Sequence, residues 1–287
     1  MTDPQRGHAA LVRFLDERGL LSPKWRDVWE RTPRAAYLPE RLWRQDPDRC
    51  RPVTTAEERA ALVASDEPVI TQVDDGAEDG PGVATSSNSM PSMVARMLHL
   101  LDVHDGQNVL EIGTATGYVA ALLSARLGDR YVTSVEIDAS LAAQAKRFLS
   151  AAGHRPRLVV TDGAYGWREG APYDRIIVTC AVRQVPYELV TQLRRGGVLV
   201  APRVGDFWCG ALVRLTRDGD AVRGRPPAGR HSRRRAGGRP AEGVGAGRPG
   251  IRSHRGRGRH RHRVREPQSV EWCGVGLAGV GPAGSSR

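Results

Sequence analysis

The chain has 287 residues and a formal net charge of +11, a length that suits one large domain or a domain with appendages. The charge is lopsided: Ala221 to Arg287 hold sixteen Arg and three Glu, which is +13, and the first 220 residues carry −2. A body that is basic throughout is thus excluded, and no apolar run approaches the ~20 residues that span a bilayer, so a cytoplasmic protein with no membrane association is expected.

Residues 1 to about 60 read as short helices. ALVRFLDERGLL spaces its apolar residues helically, Ser22-Pro23 punctuates it, and WRDVWERTP follows and stops at Pro33. The N-terminus lacks the apolar core of a signal peptide. Between residues 61 and 84, VDDGAEDGPG is acidic and Gly-rich and reads as an exposed loop. Residues 1–84 are therefore expected to be a helical leader with an acidic loop.

From residue 85 to about 220 strands and helices alternate. SMVARMLHLL predicts a helix, NVLEI a strand, GYVAALLSARLG a helix, YVTSVEI a strand and ASLAAQAKRFLSAAG a helix. RLVVTD and YDRIIVTC predict strands, YELVTQLRR a helix, and GGVLVAP and GALVRLTRD two more strands. This alternation predicts an α/β fold, a doubly wound, Rossmann-like parallel sheet preceded by N-terminal helices. Residues 221–287 have almost no Leu, Ile, Phe or Tyr and are rich in Arg and Gly. They are expected to form a disordered tail, because too little apolar surface is present to offset ordering entropy. Cys50, Cys180, Cys209 and Cys273 show no metal-finger spacing, and neither a disulfide framework nor a metal site is expected.

In such a sheet the ligand lies beyond the carboxyl ends of the strands. Those ends deliver Glu111 and a loop from Gly113 to Gly117, then Glu136, then Asp162-Gly163, then Thr179-Cys180. Glycines let a backbone turn tightly and approach a ligand, and the next helix aims N–H groups there. A dinucleotide wants G-x-G-x-x-G, but this chain has Ala115 and Tyr118 where the second and third glycines belong. The pattern Glu111-x-Gly113-x-x-x-Gly117 suits S-adenosylmethionine better. Glu136 follows Gly113 at the distance of a ribose-binding acid, and Asp162 can accept from the adenine amine. Asp174, at the opposite strand end, is assigned a structural role. Tyr165 and Trp167 are read as packing residues, and His104 and His154 as surface residues. His231, His254, His260 and His262 fall in the tail.

The runs SNSMPSMVARML, VLEIGTATGYVAALL, TDGAYGWREGAPYDRIIVTCA and VPYELVTQLRRGGVLVAPR, with the leader WERTPRAAYLPERLW, together resemble the protein-L-isoaspartate O-methyltransferases over roughly residues 8 to 220. The resemblance implies methylation of the α-carboxyl of L-isoaspartate, giving an ester that collapses to a succinimide. It implies S-adenosyl-L-methionine as cofactor, bound at Gly113, Thr114, Gly117, Glu136, Asp162 and Gly163. Glu111 and Ala115, in and beside the same loop, are counted with them. The family's active-site serine, two residues before a proline in a T-I-S-x-P motif, falls on Ser89. Its other reading is a helix cap, since serine is a favoured N-cap.

Two departures bear on function. The usual Q-T-I-S is SSNS here, at Ser86 to Ser89, which leaves a second substrate open: aspartates of a ribosomally made peptide during maturation. The Arg-rich tail replaces the strand that should follow VRLTRDG. A reading-frame shift in a GC-rich gene accounts for it, and nucleic-acid binding through the tail is the alternative. A methyltransferase fold made inactive by a missing last strand is the third reading. The expected partner is an isoaspartyl or aspartyl peptide or protein, and a monomer is expected.

Overall fold

The computed structural model describes residues 4–205 and 210–225. The chain opens with α1 (Pro4–Glu17) and α2 (Pro23–Arg31). Pro23 starts α2 without losing a helical hydrogen bond, and Ser22 Oγ caps it by accepting from the Trp25 N–H.

A small antiparallel sheet follows, absent from the sequence reading. Its strands are β1 (Trp43–Gln45), β2 (Cys50–Pro52), β3 (Val69–Val73) and β4 (Ala84–Asn88), in the order β2-β1-β3-β4. The helix α3 (Ala56–Ala64) lies between β2 and β3 in sequence, capped by Thr55. The acidic loop is the connection from β3 to β4, and it is exposed as expected. Asp74 folds it, accepting from the Gly82 and Val83 N–H groups at 2.8 Å each.

The rest alternates as expected: α4 (Pro91–Leu101), β5 (Val109–Ile112), α5 (Tyr118–Leu127), β6 (Val132–Glu136), α6 (Ala139–Ala151), β7 (Arg157–Val160), β8 (Tyr173–Val178), α7 (Tyr187–Gln192), β9 (Leu193–Val204) and β10 (Gly210–Asp218). The LRR expected to finish α7 instead begins β9. A last strand, β11 (Ala221–Arg225), pairs antiparallel with β10 from Asp218↔Ala221 to Arg214↔Arg225. The sheet thus continues into the segment where the tail was expected to start. The remainder of that segment, with its four histidines and Cys273, lies outside the described residues, as does Cys209. Cys50 and Cys180 are free thiols.

The seven strands run β11-β10-β9-β8-β5-β6-β7, parallel from β9 to β7 and antiparallel at β10 and β11. From β5 the chain winds outward through β6 and β7, then returns to lay β8 on the other side of β5. The switch point therefore lies between β5 and β8, where a crevice opens at the carboxyl ends. Alternate residues of the buried strands serve the two faces. Val109, Ile177, Val198 and Val200 pack with α1, α2, α4 and α5, whereas Leu110, Ile112, Ile176, Val178 and Leu199 pack with Leu189 of α7. α5 is buried from Tyr118 to Ser124, and Leu122 and Leu123 contribute roughly 1.5–3 kcal/mol each by leaving water.

Candidate active site

The glycine loop hangs from β6 and β8. The N–H groups of Gly113 and Thr114 both donate to Val135 O, at 2.9 and 3.2 Å, and the Gly117 N–H donates to Thr114 O at 2.8 Å. Gly113 and Gly117 have φ of 96° and 81°, values that favour glycine. A Cβ at Gly113 would lie 2.6 Å from Thr179 Oγ1, and one at Gly117 3.1 Å from Leu149. Gly163, the third glycine, would bring a Cβ to 2.4 Å from Ile112 Cγ2. These glycines make room for the protein's own strands and helix. What the loop leaves for a ligand is its backbone and the start of α5, where Gly117 stands as a cap with no side chain to satisfy the first N–H groups.

Glu136 ends β6, nearly buried. Oε2 accepts from the Ala115 N–H at 2.7 Å, and Oε1 from Ile137 and Asp138 N–H at 3.0 and 3.2 Å. A carboxylate has about four acceptor sites, so lone pairs remain for vicinal hydroxyls. Asp162, past the end of β7, is exposed and spends Oδ1 on the Ala164 N–H at 2.8 Å. Next to these two carboxylates stand Ile137, 69% exposed, and Val160, 54% exposed. Neither figured in the sequence reading. The available signal was an apolar residue beside each carboxylate, Ile137 directly after Glu136 and Val160 two residues before Asp162.

Glu111 and Thr114 face inward. Glu111 is wholly buried on β5, opposite Ser134 in the register of β6. Ser134 Oγ donates to Glu111 Oε2 at 2.7 Å and lies 2.6 Å from Thr114 Oγ1. Burial, with the nearby Glu136 charge adding to it, pushes the Glu111 carboxyl up to about 8 despite the Ser134 bond. Thr114 can therefore meet a ligand only through its backbone, and Glu111 supports the loop from beneath.

Ser89 follows β4 directly and is half-buried, with no hydrogen bond to its hydroxyl among the described residues. It does not cap α4. The cap position is Met90, Pro91 opens the helix, and Asp66 Oδ1 accepts from the Ser92 N–H at 2.7 Å.

With this geometry in place, the comparisons are specific. The family model described as protein-L-isoaspartate(D-aspartate) O-methyltransferase matches residues 6–223. The chain belongs to that family. A protein-L-isoaspartate O-methyltransferase of Syntrophotalea carbinolica is 36% identical over 203 residues, covering 70% of this chain and 79% of its own. Another, of Rhodopseudomonas palustris, is 36% identical over 210 residues, covering 73% and 83%. A solved protein-L-isoaspartate O-methyltransferase superposes with a TM-score of 0.62 at 27% identity, covering 76% of this chain and 62% of that one. A Plasmodium falciparum structure, described as a protein-L-isoaspartate O-methyltransferase in complex with S-adenosyl-L-homocysteine, shares the fold at 17% identity with a TM-score of 0.56, covering 76% and 92%.

S-adenosylmethionine, the methyl donor of the family, fits the donor set of this edge. Glu136 keeps free acceptor capacity, Asp162 is exposed, apolar Ile137 and Val160 stand beside them, and uncapped N–H groups open α5.

Other assigned residues sort cleanly. Asp174 is structural: Oδ2 accepts from the Asn108 N–H at 2.9 Å and Oδ1 pairs with Arg194 at 2.8 Å. Trp167 packs against the core on the α7 face of the sheet, but Tyr165 is 65% exposed and is not a packing residue. Gln192 holds the segment between them: Nε2 donates to Tyr165 O at 2.7 Å and Oε1 accepts from the Trp167 N–H at 2.8 Å. Buried and 25 or more residues away in sequence, Gln192 gave no local signal. His104 is exposed beside Asp102, while His154 is partly covered and lies 3.3 Å from Asp129. Among the described residues no helix is long and apolar enough to cross a membrane.

Proposed function

We propose that this chain transfers the methyl group of S-adenosyl-L-methionine to the α-carboxyl of L-isoaspartyl residues in proteins or peptides. The observation that carries the reading is the family match across residues 6–223, joined to a strand-end edge that offers two carboxylates, exposed apolar side chains and a free serine hydroxyl. The cofactor supplies an activated methyl on a sulfonium. Glu136 accepts from the ribose hydroxyls, Asp162 takes the adenine amine, Ile137 and Val160 cover the ring, and the backbone of Gly113 to Gly117 lines the remainder. Ser89 donates to the acceptor carboxylate and holds it in line. That carboxylate ionises near pH ~4, so the attack needs no general base, and the protein contributes alignment and proximity.

The test is transfer of labelled methyl from S-adenosylmethionine to an isoaspartyl peptide beside its normal aspartyl twin. Base-labile label on the isoaspartyl peptide alone is expected. Label confined to the aspartyl twin would replace this reading with modification of ordinary aspartates.

A further inference from the structure

A buried polar chain joins the acceptor side of the site to the cofactor loop. Asn88, 3% exposed at the end of β4, uses both ends of its amide. Oδ1 accepts from Arg34 Nε at 2.7 Å, and Nδ2 donates to Thr116 Oγ1 at 3.0 Å. Thr116, 2% exposed, sits in the loop between Ala115, whose N–H is on Glu136, and Gly117. Arg34, 1% exposed, is held by a cage of carbonyls. Its Nη2 donates to Glu67 O at 2.8 Å, Asn88 O at 2.9 Å and Ser89 O at 3.3 Å, and Nη1 to Ser65 O at 3.3 Å. A second tether runs alongside: Gln72 Nε2 donates to Asp138 Oδ2 at 2.9 Å, and Gln72 Oε1 accepts from Thr85 Oγ1 at 3.0 Å. The small sheet is thus fastened to the glycine loop and to the residue that caps α6.

We propose that Asn88 is a positioning residue that couples the cofactor loop to the acceptor strand, so that filling the loop fixes Ser89. The inference rests on the reading of Ser89 and the glycine loop given above. Two features favour it over simple packing. The T-I-S-x-P motif puts an apolar residue where this chain has Asn88, and an apolar side chain could fill the space without bonding both Arg34 and Thr116. The amide donates on one side and accepts on the other, so only one orientation satisfies both partners, and a loop that shifts Thr116 must move Asn88 or break a buried bond.

Thr116→Val is the primary variant, because it cuts the link and leaves the Arg34 cage intact. Hydrogen exchange is followed with and without S-adenosylhomocysteine on the full chain. In the wild type the ligand is expected to slow exchange both in residues 112–118 and in residues 84–89. In Thr116→Val protection of 112–118 remains, while the protection of 84–89 falls by about 5-fold or more, the low end of typical site-to-site coupling. Thr116→Ser, which keeps the hydroxyl, restores it. In kinetics Thr116→Val raises the KM for an isoaspartyl peptide, and Thr116→Ser brings it back toward the wild-type value. Equal protection of 84–89 in wild type and Thr116→Val, or no protection there in the wild type, overturns the proposal. A wild type that labels no isoaspartyl peptide would overturn the substrate reading instead, and the exchange comparison would still decide the coupling.

Discussion

The Ala115 N–H points at Glu136 Oε2 across 2.7 Å, from a residue held at φ 47°. A non-glycine residue in the left-handed region costs of order 1 kcal/mol or more, and the charge-assisted bond to Glu136 offsets it. The carboxylate therefore shapes the loop before any ligand arrives. Glu136→Gln keeps an acceptor and loses the charge. It is expected to weaken S-adenosylhomocysteine binding by about 10- to 150-fold, the loss of 1.5–3 kcal/mol typical for bonds to charged groups. Calorimetric titration measures this, and affinity equal to wild type would remove Glu136 from the ribose site.

Gly163 tests what the glycines are for. Its Cβ would strike Ile112 Cγ2 at 2.4 Å, so Gly163→Ala is expected to lower stability by ~1–3 kcal/mol, the usual cost of overpacking, even without ligand. Denaturant melts of the ligand-free chain check this. Adding Ile112→Ala removes the clashing methyl, and the double variant should lose less than the two single losses combined. Full additivity would mean that Ile112 is not what opposes the added methyl, and no loss of stability in the ligand-free chain would mean that the strand does not require the glycine.

How much of this was visible in the sequence depended on where the deciding contact lay. VLEI and YDRIIV announce buried parallel strands because their apolar residues cluster, and with YVTSVEI and RLVV alternating between helices the strand-end positions of Gly113, Glu136 and Asp162 follow. WRQ and CRP are three-residue strands carrying Arg and Pro, and ATSSN is mostly polar. No period of two can be read from them, and the small sheet exists through pairing with Val69 and Ile70 of β3. Glu111 and Thr114 share a motif with the ligand-facing loop, yet face away from the crevice because strand pleat directs one to Ser134 and loop closure the other. Asn88 and Arg34 are 54 residues apart. Nothing local to either names the other.

Glu111 makes stability depend on pH. Its folded carboxyl is raised to about 8 by burial, against about 4.3 when unfolded. The folded state thus holds an extra proton between those values. Stability from this group is fully present below about pH 4 and falls as pH rises toward 8, levelling beyond it. Glu111→Gln removes the ionisable group while keeping the shape. Denaturant melts across pH 5 to 9 should show a flatter profile for the variant, gaining on the wild type as pH rises by an amount on the order of a few kcal/mol. Parallel profiles would mean that Glu111 is already ionised in the fold.

Ser89 and Asp66 separate positioning from capping. Asp66 Oδ1 accepts from the Ser92 N–H at 2.7 Å, so Asp66 caps α4, while the Ser89 hydroxyl bonds nothing among the described residues. Asp66→Ala is expected to cost about 1 kcal/mol of stability, the usual loss of an N-cap. Its effect on methyl transfer should be modest, because the helix still begins at Pro91. Ser89→Ala should do the reverse. Its stability should stay within about 0.5 kcal/mol, as for a residue outside packing or capping roles. kcat/KM toward an isoaspartyl peptide should fall by about 10-fold or more, since one hydrogen bond to a charged carboxylate is worth about 1.5–3 kcal/mol. Melting and steady-state kinetics on the same two variants decide the matter. If Ser89→Ala loses stability and keeps activity, the serine is structural, and the acceptor carboxylate must be held by the backbone at the start of α4.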